Sequence, residues 1–432
     1  MERAKSAPTP SSPSWRYSST MAEKTAQTAV LGAGILGCCL ALALARRGVR
    51  VDLYDQTVDP MNGASLHNEG RLHLGFGYAN DPHQATHDLM IRGSLSFARI
   101  IHELTGAIPA DYLPSRPFNY LIPRDSLLKV DSIEAHFQNV QSAIDLLSQH
   151  SRDRYLDLEP ECFYRRCTSD ETAKYFDMKH CQAAFITEER SIYTQALAKI
   201  LRRSVAAERL IQFHGATRVE AVAIEDGGNV HVGLCQDGAR VEKNYFSVAN
   251  CLWDQRLRID RTAGLHPKRP WLFRYKATII LRSNDLQLPI PSATLIVGPY
   301  GDVVNFGDGR YYLSWYPVCK LGQTQMVEGD ALHSLLETVD QGLLIRDSIL
   351  AMSHYIPSLS RLLGEAPFAR VGGGVIFAWG NTDIDDPDSL LHQRSAIGPT
   401  RHGSYLSIDT GKYCMGPLFA MQSADLMMDI LK

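Results

Sequence analysis

Three glycines and one acid carry the most specific chemistry in the chain. In Gly32-Ala33-Gly34-Ile35-Leu36-Gly37 the glycines stand in GxGxxG order, and Asp55 lies 18 residues beyond the last of them. Between a strand and a helix, this pattern binds a dinucleotide. Gly32 allows the tight turn, Gly34 lets the backbone approach a pyrophosphate, and Gly37 lets the helix pack close to the strand. Ile35 and Leu36 open the helix, whose first N–H groups and roughly half a positive charge face the phosphates. Asp55 can accept hydrogen bonds from ribose hydroxyls. Its charge speaks against a 2′-phosphate, hence against NADP, and leaves FAD and NAD open.

A second glycine-rich, polar run spans residues 62–75, Asn-Gly-Ala-Ser-Leu-His-Asn-Glu-Gly-Arg-Leu-His-Leu-Gly. Gly63, Ala64, Ser65, Asn68 and Gly70 can set backbone N–H groups and short polar side chains against phosphates and ribityl hydroxyls. Arg71 can bind a phosphate or a carboxylate.

Holding these groups requires a strand–helix–strand unit. Thr28–Leu31 is a β-branched and apolar run ending in glycine, which predicts a buried strand. Ile35–Arg47, dominated by Ala and Leu, predicts a buried helix that Gly48 closes. Val49–Tyr54 predicts the second strand, with Asp55 at its end. Helical spacing marks 84–105, 131–149, Ser191–Arg203, much of 327–354 and Leu418–Leu431. Strands are predicted at Ile211–Ile224, Val230–Leu234, Tyr245–Ala249, Lys276–Leu281, Ala293–Val297, Tyr311–Trp315, Gly372–Trp379 and Tyr405–Ile408. Strand-rich blocks lie between helical ones, with no internal repeat and no long linker, which predicts two interleaved domains.

Composition narrows the class. The 432 residues are 45% hydrophobic and 21% charged, which excludes collagen, a wholly disordered chain and a disulfide scaffold. Lys plus Arg number 44 against 47 for Asp plus Glu, without a basic stripe, so nucleic acid is not an expected partner. Nine cysteines, an odd number with no CxxC, predict reduced thiols, no metal site and a cytoplasmic location. The longest apolar run, Val30–Ala45, is 16 residues, too short for a transmembrane segment. Residues 1–27 are rich in Ser, Pro, Thr and Ala and predict a disordered extension. Their basic residues faintly resemble a transit peptide, and Met21 offers an alternative start.

With the two glycine-rich runs in place, residues 28–432 resemble the D-amino-acid oxidase, glycine oxidase and sarcosine oxidase superfamily of FAD-dependent oxidoreductases. The first region fits the longer family pattern Gly32, Gly34, Gly37, Ala41, Leu44, Gly48, Val51 and an acid at 55. Residues Gly63 to Gly70 resemble the second FAD-contacting loop. The resemblance places Val219 in the strand that passes the adenine. Residues 248–253, Val-Ala-Asn-Cys-Leu-Trp, resemble the family's V-N-A-x-G-x-W turn, but with Leu252 where glycine is usual and Trp253 one place early. Ser407–Pro417 resembles the C-terminal loop that meets the flavin ring, with Gly411 close to the ring and Lys412 near its N1/O2 edge. Residues 68–75 also resemble the N-S-G-x-I-H-x-G run of L-2-hydroxyglutarate dehydrogenase-like members.

The resemblance implies an α/β fold: a Rossmann-like FAD-binding domain built from discontinuous segments, with an antiparallel-sheet substrate domain inserted. The expected boundaries are 28–100, 183–262 and 366–432 for the FAD-binding domain, and 101–182 and 263–365 for the substrate domain. It implies non-covalent FAD, although Cys414 near the flavin loop also raises a covalent link. The implied reaction is hydride transfer from the C–N bond of a small amine or amino acid to flavin N5, giving an imine. Two alternatives are an FAD-dependent 2-hydroxy-acid dehydrogenase and a catalytically idle flavoprotein serving as a binding subunit. The small-molecule substrate's electrons would pass to oxygen, a quinone or another flavoprotein, which the sequence leaves open. His73 is the first candidate catalytic residue, a natural base near neutral pH if an alcohol is oxidised. Lys412 would stabilise a reduced anionic flavin. His67 and Tyr78 are candidates for contact with cofactor or substrate. In the inserted sheet, Arg274 or Lys276 could clamp a carboxylate, with Tyr275 on the opposite face. Tyr312 is the candidate from the aromatic stretch Tyr311, Tyr312, Trp315 and Tyr316, and Trp379 and Asn381 are weaker candidates. Cys38 and Cys39 read as small core residues.

Overall fold

The structure, a computed structural model, describes residues 28–432 apart from 328, 366 and 367. The extension predicted over 1–27 lies outside the described residues.

The fingerprint builds the first layer as its pattern demands. Thr28–Leu31 is buried on both faces and pairs in parallel with Val51–Tyr54 on one side and Ser247–Asn250 on the other. They belong to a six-stranded sheet ordered 398–402, 405–409, 247–250, 28–31, 51–54 and 211–214. All its pairings are parallel except that of the edge strand Gly398–His402. The Ala- and Leu-rich helix Ile35–Arg46 is buried along almost its whole length. Helices Thr194–Ala207 and Gly416–Leu431 pack against it, and Ala85–Thr105 packs on the latter. A central parallel strand reads as a continuous apolar run because helices and sheet cover both of its faces.

The second layer is a nine-stranded sheet, antiparallel except where Ser292–Leu295 runs parallel to Phe118–Pro123. Its backbone is the pairing of Trp271–Arg282 with Phe368–Trp379 over all twelve residues of each. A three-stranded meander, Thr217–Ile224, Val230–Gln236 and Ala239–Tyr245, packs beside the first sheet.

Several expectations are corrected. Ile211–Ile224 is two strands, not one. Gly215 and Ala216 break it, Ala216 with φ +50°, so that 211–214 joins the parallel sheet and 217–224 the meander. Tyr245–Ala249 likewise divides into Ala239–Tyr245 and Ser247–Asn250. The helix expected at Ser191–Arg203 is Thr194–Ala207, because Ser191 pairs with Arg71 in a two-residue ladder. Cys181–Thr187 and Phe368–Trp379 both belong to the nine-stranded sheet. The expected boundaries at 183 and 366 therefore assign sheet strands to the wrong layer.

Candidate active site

The first sheet changes direction at its middle. From Thr28–Leu31 the chain goes to a neighbour on one side, and it returns much later on the other as Ser247–Asn250. In α/β sheets a ligand crevice opens at the carboxyl ends of such strands. Here Gly32 ends one strand and Cys251 follows the other, and both line a cavity with about 1540 Å³ of non-protein space, its mouth included. Its lining runs from Val219 on the meander, past the fingerprint turn, to Lys276 on the nine-stranded sheet, an extended shape that suits an elongated ligand.

The geometry of this crevice fits a dinucleotide. Gly32 has φ +97°, and a Cβ there would fall 2.7 Å from the Cys251 carbonyl oxygen. A Cβ on Gly37 would fall 1.8 Å from the Gly32 carbonyl oxygen, so that glycine shapes the turn without lining the cavity. Gly34, Ile35 and Leu36 do line it. The first-turn N–H groups of a helix have no carbonyl one turn back, which suits a phosphate. The second loop docks on this helix end: Ser65 Oγ accepts from the Ile35 N–H at 3.0 Å, and Gly63, Ala64, Ser65 and Asn68 all line the cavity. Asn68 holds the loop together, donating to the carbonyls of Ala64 and Ser65 and accepting from the Gly70 N–H. Gly70 is not among the lining residues. Its φ is +65°, and a Cβ would meet the Ile192 carbonyl oxygen at 2.1 Å, so it serves packing.

Asp55 lines the cavity while its Oδ2 accepts from the Ala33 N–H at 2.7 Å and its Oδ1 from Thr57. The acid thus braces the fingerprint turn as it faces the ligand space. Val219 lies in the same wall, on the meander. Leu252 stands where glycine is usual without strain, at φ −77°, and the next residue, Trp253, takes the left-handed conformation, φ +53°. Trp253 is held there by its indole N–H on the Val375 carbonyl.

The wall from the nine-stranded sheet carries Lys276, Thr278 and Tyr312; facing it are Glu69, Arg71, His73, Gly411 and Lys412. Arg71 is already engaged. Its Nη2 donates to Asp302 at 2.8 Å, its Nη1 lies 3.8 Å from Glu189, and its guanidinium covers the Phe118 ring at 3.7 Å. Lys276 Nζ lies 3.7 Å from the same Asp302, whose carboxyl is held at about 2 by Arg71 and Lys276 against the opposing effect of burial. Glu189 is fully buried, accepts from Tyr120 O–H and from the Leu74 N–H, both at 2.6 Å, and lies 3.7 Å from His73 Nδ1. Burial pushes the His73 pKa down despite that carboxylate, so the ring is neutral at neutral pH. Lys412 makes no ion pair among the described residues. Burial, then Arg394, holds its ammonium down to about 8. The Tyr312 hydroxyl is buried without a hydrogen-bond partner.

Other candidates fall elsewhere. Arg274 shares the face of Lys276 but lies roughly 7 Å further along the strand. There it pairs with Asp383 at 2.9 Å and with the Tyr316 hydroxyl, and it does not line the cavity. Tyr275, Tyr311, Trp315 and Tyr316 pack in cores or bond to Asp383. Trp379 donates to Asp409, Asn381 lies outside the lining, and Tyr78 lies behind the wall with Lys412 Nζ 5.8 Å from its ring. His67 lines the cavity. Cys414 is buried outside the lining, and burial raises its thiol to about 11. Glu189 and Asp302 were invisible to motif reading, since each reaches the site only through a distant strand pairing. Glu69 sat inside a recognised run with no role assigned.

Among the described residues no helix is long and apolar enough to cross a membrane, and no group of His, Cys, Asp and Glu could hold a metal. Residues 27–404 match the family model of the FAD dependent oxidoreductases, DAO. The FAD-dependent monooxygenase FPY4 of Fusarium mangiferae is 34% identical over 107 residues, which cover 24% of this chain and only 27% of that protein. The glycine oxidase of Geobacillus kaustophilus superposes with a TM-score of 0.65 at 14% identity, covering 93% of this chain and 94% of that one. The L-α-glycerophosphate oxidase of Mycoplasma pneumoniae, solved with FAD bound, gives 0.65 at 14% identity over 94% and 95%. These two likenesses show the α/β fold. The match across most of its length makes this chain a member of the DAO family of FAD-dependent oxidoreductases, an enzyme with FAD as its cofactor.

Proposed function

We propose that the cavity between the two sheets holds FAD and that the enzyme oxidises the C–N bond of a small amine or amino acid to an imine. Gly32, Gly34, Ile35, Leu36 and the loop from Gly63 to Asn68 would hold the pyrophosphate region, with Asp55 on a ribose, Val219 at the adenine and Gly411 close to the ring. FAD, when bound, supplies the hydride acceptor. The chain's own residues orient the substrate, exclude water and manage one proton. Binding is non-covalent in this reading, because the Cys414 thiol is raised and stands behind the wall.

The carrying observation is the combination at one wall of unpaired Lys412, the partnerless Tyr312 hydroxyl and neutral His73. Lys412, expected at the flavin's N1/O2 edge, also suits a substrate carboxylate, with Lys276 within electrostatic reach. A neutral imidazole can accept the proton an ammonium must lose before its carbon gives up hydride. Arg274 has no part in this, being satisfied by Asp383.

The test is anaerobic titration of the purified yellow protein with panels of amino acids, N-methyl amines and 2-hydroxy acids. Bleaching by the nitrogen-bearing panels is the expected outcome, and readmitting air then asks whether oxygen is the acceptor. His73→Ala should keep FAD and slow the bleaching. The buried Glu189 carboxylate, 3.7 Å from His73 Nδ1 and raising that ring's proton affinity, favours a second reading, a 2-hydroxy-acid dehydrogenase in which His73 takes a hydroxyl proton. Bleaching by hydroxy acids alone would select it.

A further inference from the structure

Glu69 is the one cavity carboxylate whose role the proposed reaction leaves open. Asp55 is engaged by Ala33 and Thr57. Asp254 meets His333 and Gln255. Glu69 makes no hydrogen bond or ion pair among the described residues, although it lines the cavity. It is also not a proton acceptor of any strength: Lys276, Lys412 and Arg71 hold its carboxyl below the ordinary range, against the effect of burial and Asp302.

An ionised carboxylate only accepts, so one without a hydrogen-bond partner is completed by a donor, and a cationic donor gives the stronger, charge-assisted bond. That partner is not the reacting nitrogen, which must be neutral when hydride leaves its carbon. The wall therefore offers three complements: Lys412 and Lys276 for an anion, neutral His73 for the reacting nitrogen's proton, and Glu69 for a further positive charge. The buried, unpartnered hydroxyl of Tyr312, in the same wall, supplies a further directional contact for a polar ligand.

We infer that Glu69 is a specificity residue that seats a second, non-reacting cationic group, so that the preferred substrate is a basic amino acid carrying a carboxylate, an oxidisable amine and a distal ammonium or guanidinium. This rests on the C–N reading above for its reaction, but not for its binding. A charge-assisted hydrogen bond of this kind corresponds to roughly a 10- to 100-fold preference.

Two measurements on the FAD-loaded protein separate the claims. The first uses ligands that lack an α-amine, 4-aminobutanoate, 5-aminopentanoate and 6-aminohexanoate, each against the alkanoate of equal chain length. Binding is read from perturbation of the flavin visible spectrum. At least one amino member should bind ten-fold or more tighter than its partner in the wild type; in Glu69→Gln the two should bind alike, and Glu69→Asp should restore part of the preference. The second compares anaerobic flavin reduction by ornithine and lysine with that by norvaline and norleucine, in both enantiomers, and expects the same preference and its same loss. Absence of any preference in binding, a preference that survives Glu69→Gln, or loss of FAD from Glu69→Gln would each overturn the role of Glu69. A binding preference without reduction by any amine would leave Glu69 standing and overturn the C–N reaction instead.

Discussion

Replacing Glu189 with glutamine removes a single charge from a fully buried carboxylate. The side chain is fully buried and receives Tyr120 O–H and the Leu74 N–H at 2.6 Å each, with Arg71 at 3.8 Å and His73 at 3.7 Å. An amide keeps the shape but has one acceptor oxygen. If that oxygen faces Leu74, the Tyr120 hydroxyl loses its acceptor; if it faces Tyr120, the amide N–H₂ meets the Leu74 N–H. Either way one buried donor goes unpaired and a charge-assisted bond is lost, at about 2–4 kcal/mol. Arg71 retains Asp302, which keeps the loss below that of a fully orphaned buried charge. At roughly 2 °C per kcal/mol for a chain of this size, Tm should fall by about 4–8 °C. The FAD-loaded variant is followed by the rise of flavin fluorescence on heating. His73 also loses the negative charge that stabilises its protonated form, and flavin reduction should slow by about 10- to 100-fold. The pH profile gives the discriminating readout. Glu189 raises the proton affinity of His73, so its removal lowers that pKa further, and the acid limb of the reduction rate should move to lower pH. An unchanged Tm together with an unchanged acid limb would refute the arrangement argued above.

Gly37→Ala puts a methyl 1.8 Å from the Gly32 carbonyl oxygen, so the fingerprint turn must retreat by more than about 1 Å, and overpacking of this kind costs about 1–3 kcal/mol or more. The variant should purify without flavin, read from its visible-to-ultraviolet absorbance ratio; full, tight FAD would refute the packing argument. Asp55→Ala leaves the Ala33 and Thr57 N–H groups without their acceptor and should weaken FAD retention by about ten-fold or more. Dialysis against buffer measures it, and retention equal to wild type would remove Asp55 from cofactor binding. Lys412, lowered to about 8, is charged below that pH and neutral above it, so binding of a carboxylate such as benzoate should fall as pH rises through 8. Lys412→Met should bind weakly and flatly over the same range; a wild-type affinity unchanged from about pH 7 to 9 would contradict the assignment.

What could be read in the chain was what is local along it. The turn at Gly32, the helix it opens and Asp55 lie within a few dozen residues, and their spacing alone defines a strand–helix–strand geometry. Lys412 and Gly411 were legible through family resemblance, as was Val219. The substrate wall was legible only by halves. Alternation along Trp271–Arg282 put Arg274 and Lys276 on one face, but not the point along the strand at which the cavity ends. Only the pairing partners, with Asp383 brought against Arg274, decide that. Glu189 lies 115 residues from Leu74, whose N–H it accepts, and a lone acid in the turn after a strand carries no signal of that. The failures at Ile211–Ile224 and Tyr245–Ala249 have one cause. A chain that leaves one sheet for another keeps its β-rich composition through the turn, so composition cannot mark the break.

The cavity's wall runs in sequence from Gly32 to Tyr413. During synthesis the first strand and the fingerprint helix emerge early, while the loop bearing Gly411 and Lys412 emerges hundreds of residues later. The nascent chain therefore presents a half-built nucleotide cradle for most of its translation, with the apolar helix Ile35–Arg46 lacking the cover of Gly416–Leu431. Cofactor loading must come late, and until then the exposed helix is a natural client for chaperones. FAD that binds only the completed cradle stabilises the native fold by mass action, so richer flavin supply during biosynthesis is expected to raise the yield of native enzyme as well as its activity.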